Sequence, residues 1–318
     1  MFITLFHLSQ STVTALGGLF TFACVFFLLS RFKDKLPTDI GRAYAVNAEK
    51  SKGKPRGAGI IIILAFCAAA LLFAPLTIEN TIYILLITAA MVTGFLDDAS
   101  RNPWSDYKKG ALDLIISLGI AVTFVLNNST VISFKLFGAL FGSNCSFEMP
   151  KVIYAILATI LVWMAINVIN CTDGVDGLCT TLSIISLFTL TVFSTGDYTS
   201  MCVLFLFALL AYLWFNASPS IMLMGDAGSR AIGVFMAIAV MKTGAPLLFL
   251  PICAMFIIDG GLGLVKVFLL RFFKIRIFPN TRMPLHDHFR KEKGWSDTQT
   301  VLRFAIIQAV ICLVWLFI

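Results

Sequence analysis

Long apolar runs recur along the whole sequence, and only short polar segments separate them. The chain has 318 residues, of which 59% are hydrophobic and 13% are charged. A helix needs about 20 apolar residues to cross the hydrocarbon core of a bilayer, and this sequence supplies that many times over. The pattern excludes an ordinary soluble globular protein and predicts an all-α, polytopic integral membrane protein.

Ten segments are apolar and long enough to be candidate transmembrane helices. The first lacks a basic stretch before it and a small-residue cleavage site after it, which favours a retained span over a signal peptide. No linker is long enough to separate soluble domains, so we expect one transmembrane domain covering residues 1–318. The ten candidates lie near residues 11–30, 57–76, 80–96, 111–127, 151–169, 177–194, 200–215, 230–245, 247–272 and 301–318.

Basic residues are concentrated in alternate connections between these segments. The connections at 31–56 and 271–303 each hold eight Lys and Arg residues, whereas those on the opposite side hold only Lys135, Lys151 and Lys242. The positive-inside rule therefore places the basic connections in the cytoplasm and both termini on the outer face. We assign the net charge of +7 to topology and anionic lipid, and expect no nucleic-acid partner.

The most polar stretch within the apolar pattern is 167–178, which reads Asn-Val-Ile-Asn-Cys-Thr-Asp-Gly-Val-Asp-Gly-Leu. Asn167 and Asn170 are three residues apart at the end of a span, so they share one helix face. The two glycines break that helix and let the backbone turn into the next one. Asp173 and Asp176 are costly between membrane-length helices unless they bind something, so a functional site is expected here.

Two other segments place acids at helix ends on the same predicted face. Asp97 and Asp98 close the third span, where adjacent carboxylates favour a shared divalent cation or proton, or else form a solvated helix terminus. Asn216 precedes Asp226, which lies between glycines, and Ser229 is expected to cap the next helix. Carboxylates from separate loops suit Mg²⁺ together with phosphate oxygens, whereas the Cys and His pattern does not suit zinc.

Two of the three histidines, His286 and His288, flank Asp287 in a loop rich in Arg and Lys. This loop is typical of an anion-binding surface, because such side chains pair with phosphate. Lys108 and Lys109 open the fourth span and either bind phosphate or belong to the positive-inside belt. Cationic side chains and a predicted Mg²⁺ site together indicate phosphoryl transfer at a membrane surface.

Charged residues also occur inside the candidate spans. Asp113, Asp259 and Lys266 lie within apolar runs. We expect them either to form an internal ion pair or to line the cleft that the acid-bearing loops enclose.

These motifs resemble those of the polyprenyl-phosphate N-acetylhexosamine-1-phosphate transferases. The resemblance covers most of the chain and implies ten helices, Mg²⁺ dependence, and transfer of a phospho-sugar from a UDP donor to undecaprenyl phosphate with release of UMP. It also implies a bacterial inner-membrane protein with a cytoplasmic active site, and leaves a homodimer open. It is carried by Phe95-Leu-Asp-Asp98, Asn167-x-x-Asn-x-x-Asp-Gly-x-Asp-Gly-Leu178, Asn216 with Met224-Gly-Asp-Ala-Gly-Ser229, and the His loop.

Within the family, residues 282–289 and 293–297 resemble the branch that uses UDP-N-acetylmuramoyl-pentapeptide and makes lipid I for peptidoglycan. UDP-N-acetylglucosamine is the alternative donor. The chain departs from that branch at 286–288, where three consecutive His are expected, and at 53–59, where Gly-Thr-Pro-Thr-Met-Gly-Gly is expected. Lys109 matches the branch only when a gap is allowed after the Asp pair.

The resemblance also implies residue roles by motif position. Asp226 would be the leading Mg²⁺ ligand, and Asp97 and Asp98 would contact the lipid phosphate or act as base. The remaining set would comprise Asp173 and Asp176 for the nucleotide, Asn167, Asn170, Asn216 and Ser229 for the diphosphate or uridine, Lys109 for phosphate, and His286 and His288 to complete the catalytic site.

Two other classes of protein share part of this pattern. An intramembrane prenyltransferase also binds diphosphate through Mg²⁺, but its second acid-rich repeat is missing because Arg101 stands where an Asp is required. A transporter would place its ion site near the middle of the bilayer, whereas these acids are predicted at the cytoplasmic ends of helices. Mg²⁺-dependent release of UMP from a UDP-sugar is expected of the phospho-sugar transferases, but not of a prenyltransferase or a transporter.

Overall fold

The computed structural model describes residues 9–39, 51–100, 102, 104–133, 146–194 and 196–317. Within these ranges the chain is mostly helical, which confirms the all-α prediction. Strands β1 (Val131–Ser133) and β2 (Ser146–Glu148) form one short antiparallel pair, with Val131 opposite Glu148.

The helices follow the apolar runs of the sequence. Each of the ten candidate spans coincides with a helix or, at 247–272, with a run of short helical pieces. The helices are α1 (Gln10–Phe32), α2 (Gly59–Phe73), α3 (Ile78–Asp98), α4 (Asp106–Asn127), α5 (Lys151–Thr172), α6 (Leu178–Phe193), α7 (Tyr198–Asn216), α8 (Gly225–Lys242), α9 (Phe249–Ile252), α10 (Ala254–Phe256), α11 (Leu262–Phe268), α12 (Leu285–Glu292) and α13 (Asp297–Phe317). Short 3₁₀ turns lie at Lys33–Lys35 and Pro246–Leu248, and π-helical turns at Ile257–Gly261 and Leu269–Phe273.

Fewer of these helices are long and apolar enough to cross a membrane than the sequence predicts. Six described helices qualify, or seven when 246–252 and 254–273, which meet at a 70° bend, are taken as one span. Helix α2 has 15 residues and is therefore about 22 Å long, less than the roughly 30 Å of a bilayer core. Ten crossings and the orientation of the termini stay predictions.

Helix α8 occupies the centre of the bundle. Every residue from Gly225 to Met241 is buried, and the helix packs against α3, α5 and α2. Large apolar side chains are exposed instead on the outer helices, such as Phe27 on α1 and Leu126 on α4. The apolar side chains exposed on the outer helices suit a lipid environment, because lipid tails are as apolar as these side chains.

A backbone strap places the segment before α2 against the start of α8. Leu223 donates its N–H to the carbonyl of Pro55 at 2.8 Å, and Ala58 and Gly59 donate theirs to the carbonyls of Leu223 and Met224 at 3.1 and 3.0 Å. Helices α3, α5 and α7 all end near this strap, so the polar ends predicted from the sequence converge here.

Candidate active site

A cavity of about 470 Å³ opens at the end of the bundle where α8 begins. Its walls come from the segment before α2, the α5–α6 loop and the α7–α8 loop, with contributions from the C-terminal region. Five residues predicted for the site line it: Asn170, Asp173, Asp176, Asn216 and Asp226.

Asp98 is buried against the first turn of α8. Its Oδ1 accepts from Arg56 Nε at 2.8 Å, and its Oδ2 accepts from the backbone N–H of Ala227 at 3.1 Å. The first N–H groups of a helix lack intrahelical partners, and the helix dipole favours an anion there. Gly225 has a φ of 70°, and a Cβ at this position would collide with Asp98 Oδ2, so the approach requires glycine.

Asp97 and Asp226 share the ammonium group of Lys109. Lys109 Nζ forms an ion pair with Asp97 and lies 3.4 Å from Asp226 Oδ2. Asp97 also accepts from the backbone N–H of Trp104 at 2.8 Å. The structure therefore confirms that the acids of α3 and α8 meet, and it brings Lys109 to them although the sequence matches it only with a gap.

Arg56 lies at the centre of this acid cluster, a role that its sequence context, a basic stretch beside a span, does not reveal. Its Nη1 is 3.1 Å from Asp39 Oδ1 and its Nη2 is 3.5 Å from Asp226 Oδ1, in addition to the bond with Asp98. Burial lowers the pKa of Arg56, but Asp98, Asp226 and Asp39 raise it above its ordinary value overall, so the guanidinium remains charged.

The donor set suits a hard cation that arrives with phosphate. The four carboxylates of this cluster share two side-chain cations, so carboxylates outnumber cations by two. Among the described residues no three Asp, Glu, His or Cys side chains form a ready metal cage. Mg²⁺ in proteins is usually bound by one or two carboxylates plus substrate phosphates rather than by such a cage. The residues present therefore fit Mg²⁺.

The Asp-Gly loop between α5 and α6 is held by side chains from two other segments. Asp176 Oδ2 accepts from Ser220 N at 2.9 Å and pairs with Lys54 Nζ at 3.3 Å. Asn216 Oδ1 accepts from Gly177 N at 3.1 Å and from Thr180 Oγ1 at 3.0 Å. Asn216 thus fixes the shape of this loop, while its predicted contact with uridine or diphosphate stays a prediction.

The prediction that Ser229 caps α8 is wrong. The N-cap position is five residues earlier, at Met224, and the helix begins at Gly225, whose φ is 70°. Ser229 lies in the helix, donates to the carbonyl of Gly225 at 3.0 Å and accepts from Asn170 Nδ2 at 2.9 Å. Asn167 instead donates to the carbonyl of Trp163 on its own helix at 2.8 Å, and it is not among the residues that line the cavity.

His286 is buried and oriented by Asp259. Asp259 accepts twice from this residue, from the backbone N–H at 2.7 Å and from the Nδ1 side of the ring at 2.8 Å. The side chains of His286 and Asp259 are 3% and 0% exposed, respectively. The other ring nitrogen faces Gly174, where a Cβ would collide with it, so the histidine packs on the Asp173–Gly174 backbone.

The structure does not bring His288 to the acid cluster. Its ring makes local contacts: Nδ1 accepts from the backbone N–H of Arg282 at 3.4 Å, and the ring lies edge-on to Phe289. Asp287 lies 3.9 Å from Arg282 and 3.6 Å from Arg290, so it compensates arginine charge. The predicted catalytic roles of His286 and His288 both stay predictions.

The charged residues inside the spans pair separately instead of with one another. Asp113 forms a buried ion pair with Arg230, whose part the sequence pattern does not reveal. Asp259 pairs with His286, and Lys266 donates to the carbonyls of Phe278 and Thr281 at 2.9 and 2.7 Å. A charged residue inside an apolar run indicates that it has a polar partner in the folded protein. Which residue is that partner depends on how the helices pack, and the sequence alone does not show it.

The sequence between residues 80 and 244 matches glycosyl transferase family 4. The phospho-N-acetylmuramoyl-pentapeptide-transferase of Treponema pallidum (strain Nichols) is 36% identical, over 96% of this chain and 90% of the relative. Proteins of the same name from Dictyoglomus thermophilum and Helicobacter pylori (strain J99) are 32% and 27% identical; the alignments span 82% and 92% of this chain, and 82% and 89% of the relatives.

Proposed function

This chain belongs to glycosyl transferase family 4, among the phospho-N-acetylmuramoyl-pentapeptide transferases, and from that premise we propose its reaction and the roles of its residues. It transfers phospho-N-acetylmuramoyl-pentapeptide from the UDP donor to undecaprenyl phosphate, giving lipid I and UMP for peptidoglycan synthesis. It is a multi-pass membrane protein, and both of its substrates carry phosphate that the site has to hold.

The observation that supports this function best is the meeting of Asp97, Asp98 and Asp226 with Arg56 and Lys109 at one end of the bundle. Phosphoryl transfer depends mainly on positioning the phosphates and on stabilising their charge. Buried cations held beside carboxylates supply both, because the carboxylates orient the cations while the cations face the anionic substrate.

We assign the roles as follows. Asp173 and Asp176 form the wall that binds the nucleotide, and Lys54 beside Asp176 offers a cation to the donor. Asp226 would hold Mg²⁺ with Asp97 or Asp98, and the bound ion would neutralise charge on the diphosphate. Asp97 and Asp98 contact the lipid phosphate or accept its proton, and Lys109 keeps both α3 and α8 acids in place.

We further propose ten crossings, both termini on the outer face, and a cytoplasmic active site in the inner membrane. The support is the basic content of the connections near the site and the coincidence of each apolar run with helical structure. Short helices such as α2 and α6 pack within the bundle, where neighbouring helices rather than lipid surround much of their surface.

The direct test is a paired assay of purified protein with undecaprenyl phosphate, Mg²⁺ and two radiolabelled UDP-sugars. We expect UMP release and a lipid-linked product from UDP-N-acetylmuramoyl-pentapeptide, and much slower transfer from UDP-N-acetylglucosamine. Asp226→Asn serves as the inactive control on the same preparation. Comparable or faster transfer from UDP-N-acetylglucosamine would refute the donor assignment, and no transfer from either donor would refute the function.

A further inference from the structure

Arg56 is the described side chain that joins the most carboxylates at the site. Its three nitrogen contacts reach Asp39, Asp98 and Asp226, which come from three separate parts of the chain. The side chain is 16% exposed and lines the cavity, so it is held by protein on one side and open to a ligand on the other. A guanidinium has five N–H donors in a planar fork, which suits it to several anions at once.

The backbone of Arg56 is fixed in the same way as its side chain. Its N–H donates to the carbonyl of Pro37 at 2.7 Å, and it forms a parallel bridge with Leu223, two residues before Gly225. The strap that carries Arg56 therefore cannot move away from the start of α8 without breaking several backbone hydrogen bonds. The guanidinium has a defined position relative to Asp226.

The three contacts of Arg56 differ in length, and the longest is the one to Asp226. The distances to Asp98 and Asp39 are 2.8 and 3.1 Å, whereas the distance to Asp226 is 3.5 Å. The second oxygen of Asp226 lies 3.4 Å from Lys109. Each oxygen of Asp226 therefore faces a side-chain cation, and a metal ion that binds this carboxylate is repelled by both cations and competes with them for the same oxygens.

Arg56 is the cation that a donor phosphate can draw away. It lines the cavity, whereas Lys109 does not and is closely paired with Asp97. A diphosphate in the cavity offers oxygens with which a guanidinium forms charge-assisted, two-point hydrogen bonds. Asp39 and Asp98 would continue to hold the guanidinium while its third contact changes from carboxylate to phosphate.

We propose that Arg56 is a positioning residue that competes with the divalent cation for Asp226 until the donor diphosphate binds. In the donor-free enzyme Arg56 lowers the affinity of Asp226 for the cation. Once the diphosphate takes the third contact of Arg56, Asp226 binds the cation more tightly, so cation and donor bind cooperatively. This inference rests on the proposed function, and it concerns a residue at one of the positions where this chain departs from the branch pattern.

The experiment is a titration of the purified full-length protein in detergent with Mn²⁺, followed by the paramagnetic resonance signal of the free ion. UDP serves as the diphosphate probe, and no acceptor lipid is present, so no transfer occurs. We expect UDP to tighten Mn²⁺ binding to the wild-type protein by at least about tenfold, within the usual range of coupling between two sites. Arg56→Gln should tighten Mn²⁺ binding without UDP by at least about fivefold and remove most of the effect of UDP.

A matched control and a second variant keep the result interpretable. Lys52→Gln removes one charge from the same segment at an exposed position, so it should change Mn²⁺ binding without UDP by less than about twofold. Arg56→Lys keeps the charge but has no planar fork, and should tighten Mn²⁺ binding without UDP less than Arg56→Gln does.

Three outcomes would overturn the proposal. The first is that both Arg56 variants bind Mn²⁺ without UDP as tightly as the wild-type protein or more weakly. The second is an equal gain in Mn²⁺ binding in Lys52→Gln, and the third is retention of Mn²⁺ binding in Asp226→Asn. A merely structural role of Arg56 predicts weaker binding in its variants, which is opposite in sign. The titration involves no transfer, so its result does not depend on the paired donor assay. Failure of the donor assay would refute the proposed function, whereas the titration alone tests whether Arg56 competes with the cation for Asp226.

Discussion

The pair formed by His286 and Asp259 leads to a prediction that tests whether Asp259 orients His286 for catalysis or only contributes to packing. In Asp259→Asn the amide oxygen can still accept from the backbone N–H of His286, but the NH₂ group then faces ring Nδ1. That arrangement favours the ring tautomer with the proton on Nε2, because Nδ1 has to accept from the amide. A neutral ring facing the wild-type carboxylate favours the proton on Nδ1, so the variant would move that proton to Nε2, the nitrogen that abuts Gly174.

The magnitude follows from the contacts that are lost. One charge-assisted hydrogen bond contributes about 1.5–3 kcal/mol, and both groups are almost completely buried, so water cannot replace it. Removing the group that orients a functional histidine typically costs 10–100-fold in activity where the histidine is a metal ligand, and we expect about that loss in kcat here. Loss of stability alone would lower the yield of folded protein without changing the rate per folded molecule.

The assay is the initial rate of UMP release per mole of folded protein, with folding measured by thermal unfolding in detergent. Asp287→Asn is the matched control, because it removes a neighbouring carboxylate 3.8 Å from Nε2 that is partly exposed and not hydrogen-bonded to the ring. A double-mutant cycle with His286→Ala completes the design: Asp259→Asn should have little further effect in that background. Near-normal turnover of Asp259→Asn, or a larger loss in Asp287→Asn, would refute the reasoning.

Three further predictions test the site, the topology and the donor. Asp226→Asn should fold but lose turnover, at a cost of roughly 3–4 kcal/mol or more in transition-state stabilisation; near-normal UMP release would remove Asp226 from the metal role. Cys145 lies outside the described residues, in the predicted outer loop, and in a variant without the other cysteines it should react with an impermeant thiol reagent in intact cells; labelling only after lysis would invert the topology. Arg282→Gln should lower transfer from the pentapeptide donor more than from UDP-N-acetylglucosamine, because the peptide carries carboxylates and a charge-assisted contact contributes about 1.5–3 kcal/mol; an equal loss with both donors would refute a role in selection.

The sequence predicts the positions of helices well, because apolar runs of membrane length leave few alternatives. It does not predict the break in the segment at 247–272. There Gln308 of α13 donates to the carbonyl of Ile252 at 2.8 Å and accepts from Met255 N at 2.9 Å. Ser186 of α6 also donates to the carbonyl of Ile252 at 2.5 Å. Side chains distant in sequence thus satisfy the interrupted backbone, and local composition contains no sign of them.

The site also has one part that the sequence predicts and one part that it does not. The alternation of spans predicts that the Asp-bearing loops share one end of the bundle, and the structure confirms this for the acids of α3, α8 and the α5–α6 loop. The partners of these acids are not predictable in the same way. Arg56 reads as one of several basic residues before a span, and only the strap along Leu223 reveals that it reaches Asp226.

The distribution of charge along the bundle argues that its acidic end exists for a ligand. At the opposite end Lys242 is matched by Glu79 at 3.0 Å, with Asn128 accepting a further hydrogen bond at 2.8 Å. In the interior Arg230 is matched by Asp113. Burying charge is costly unless it is paired, so a stable fold favours such one-to-one pairs. The cluster around Asp226 departs from this rule, since its carboxylates outnumber its side-chain cations. An excess of negative charge is destabilising by itself, and the divalent cation proposed above would offset it.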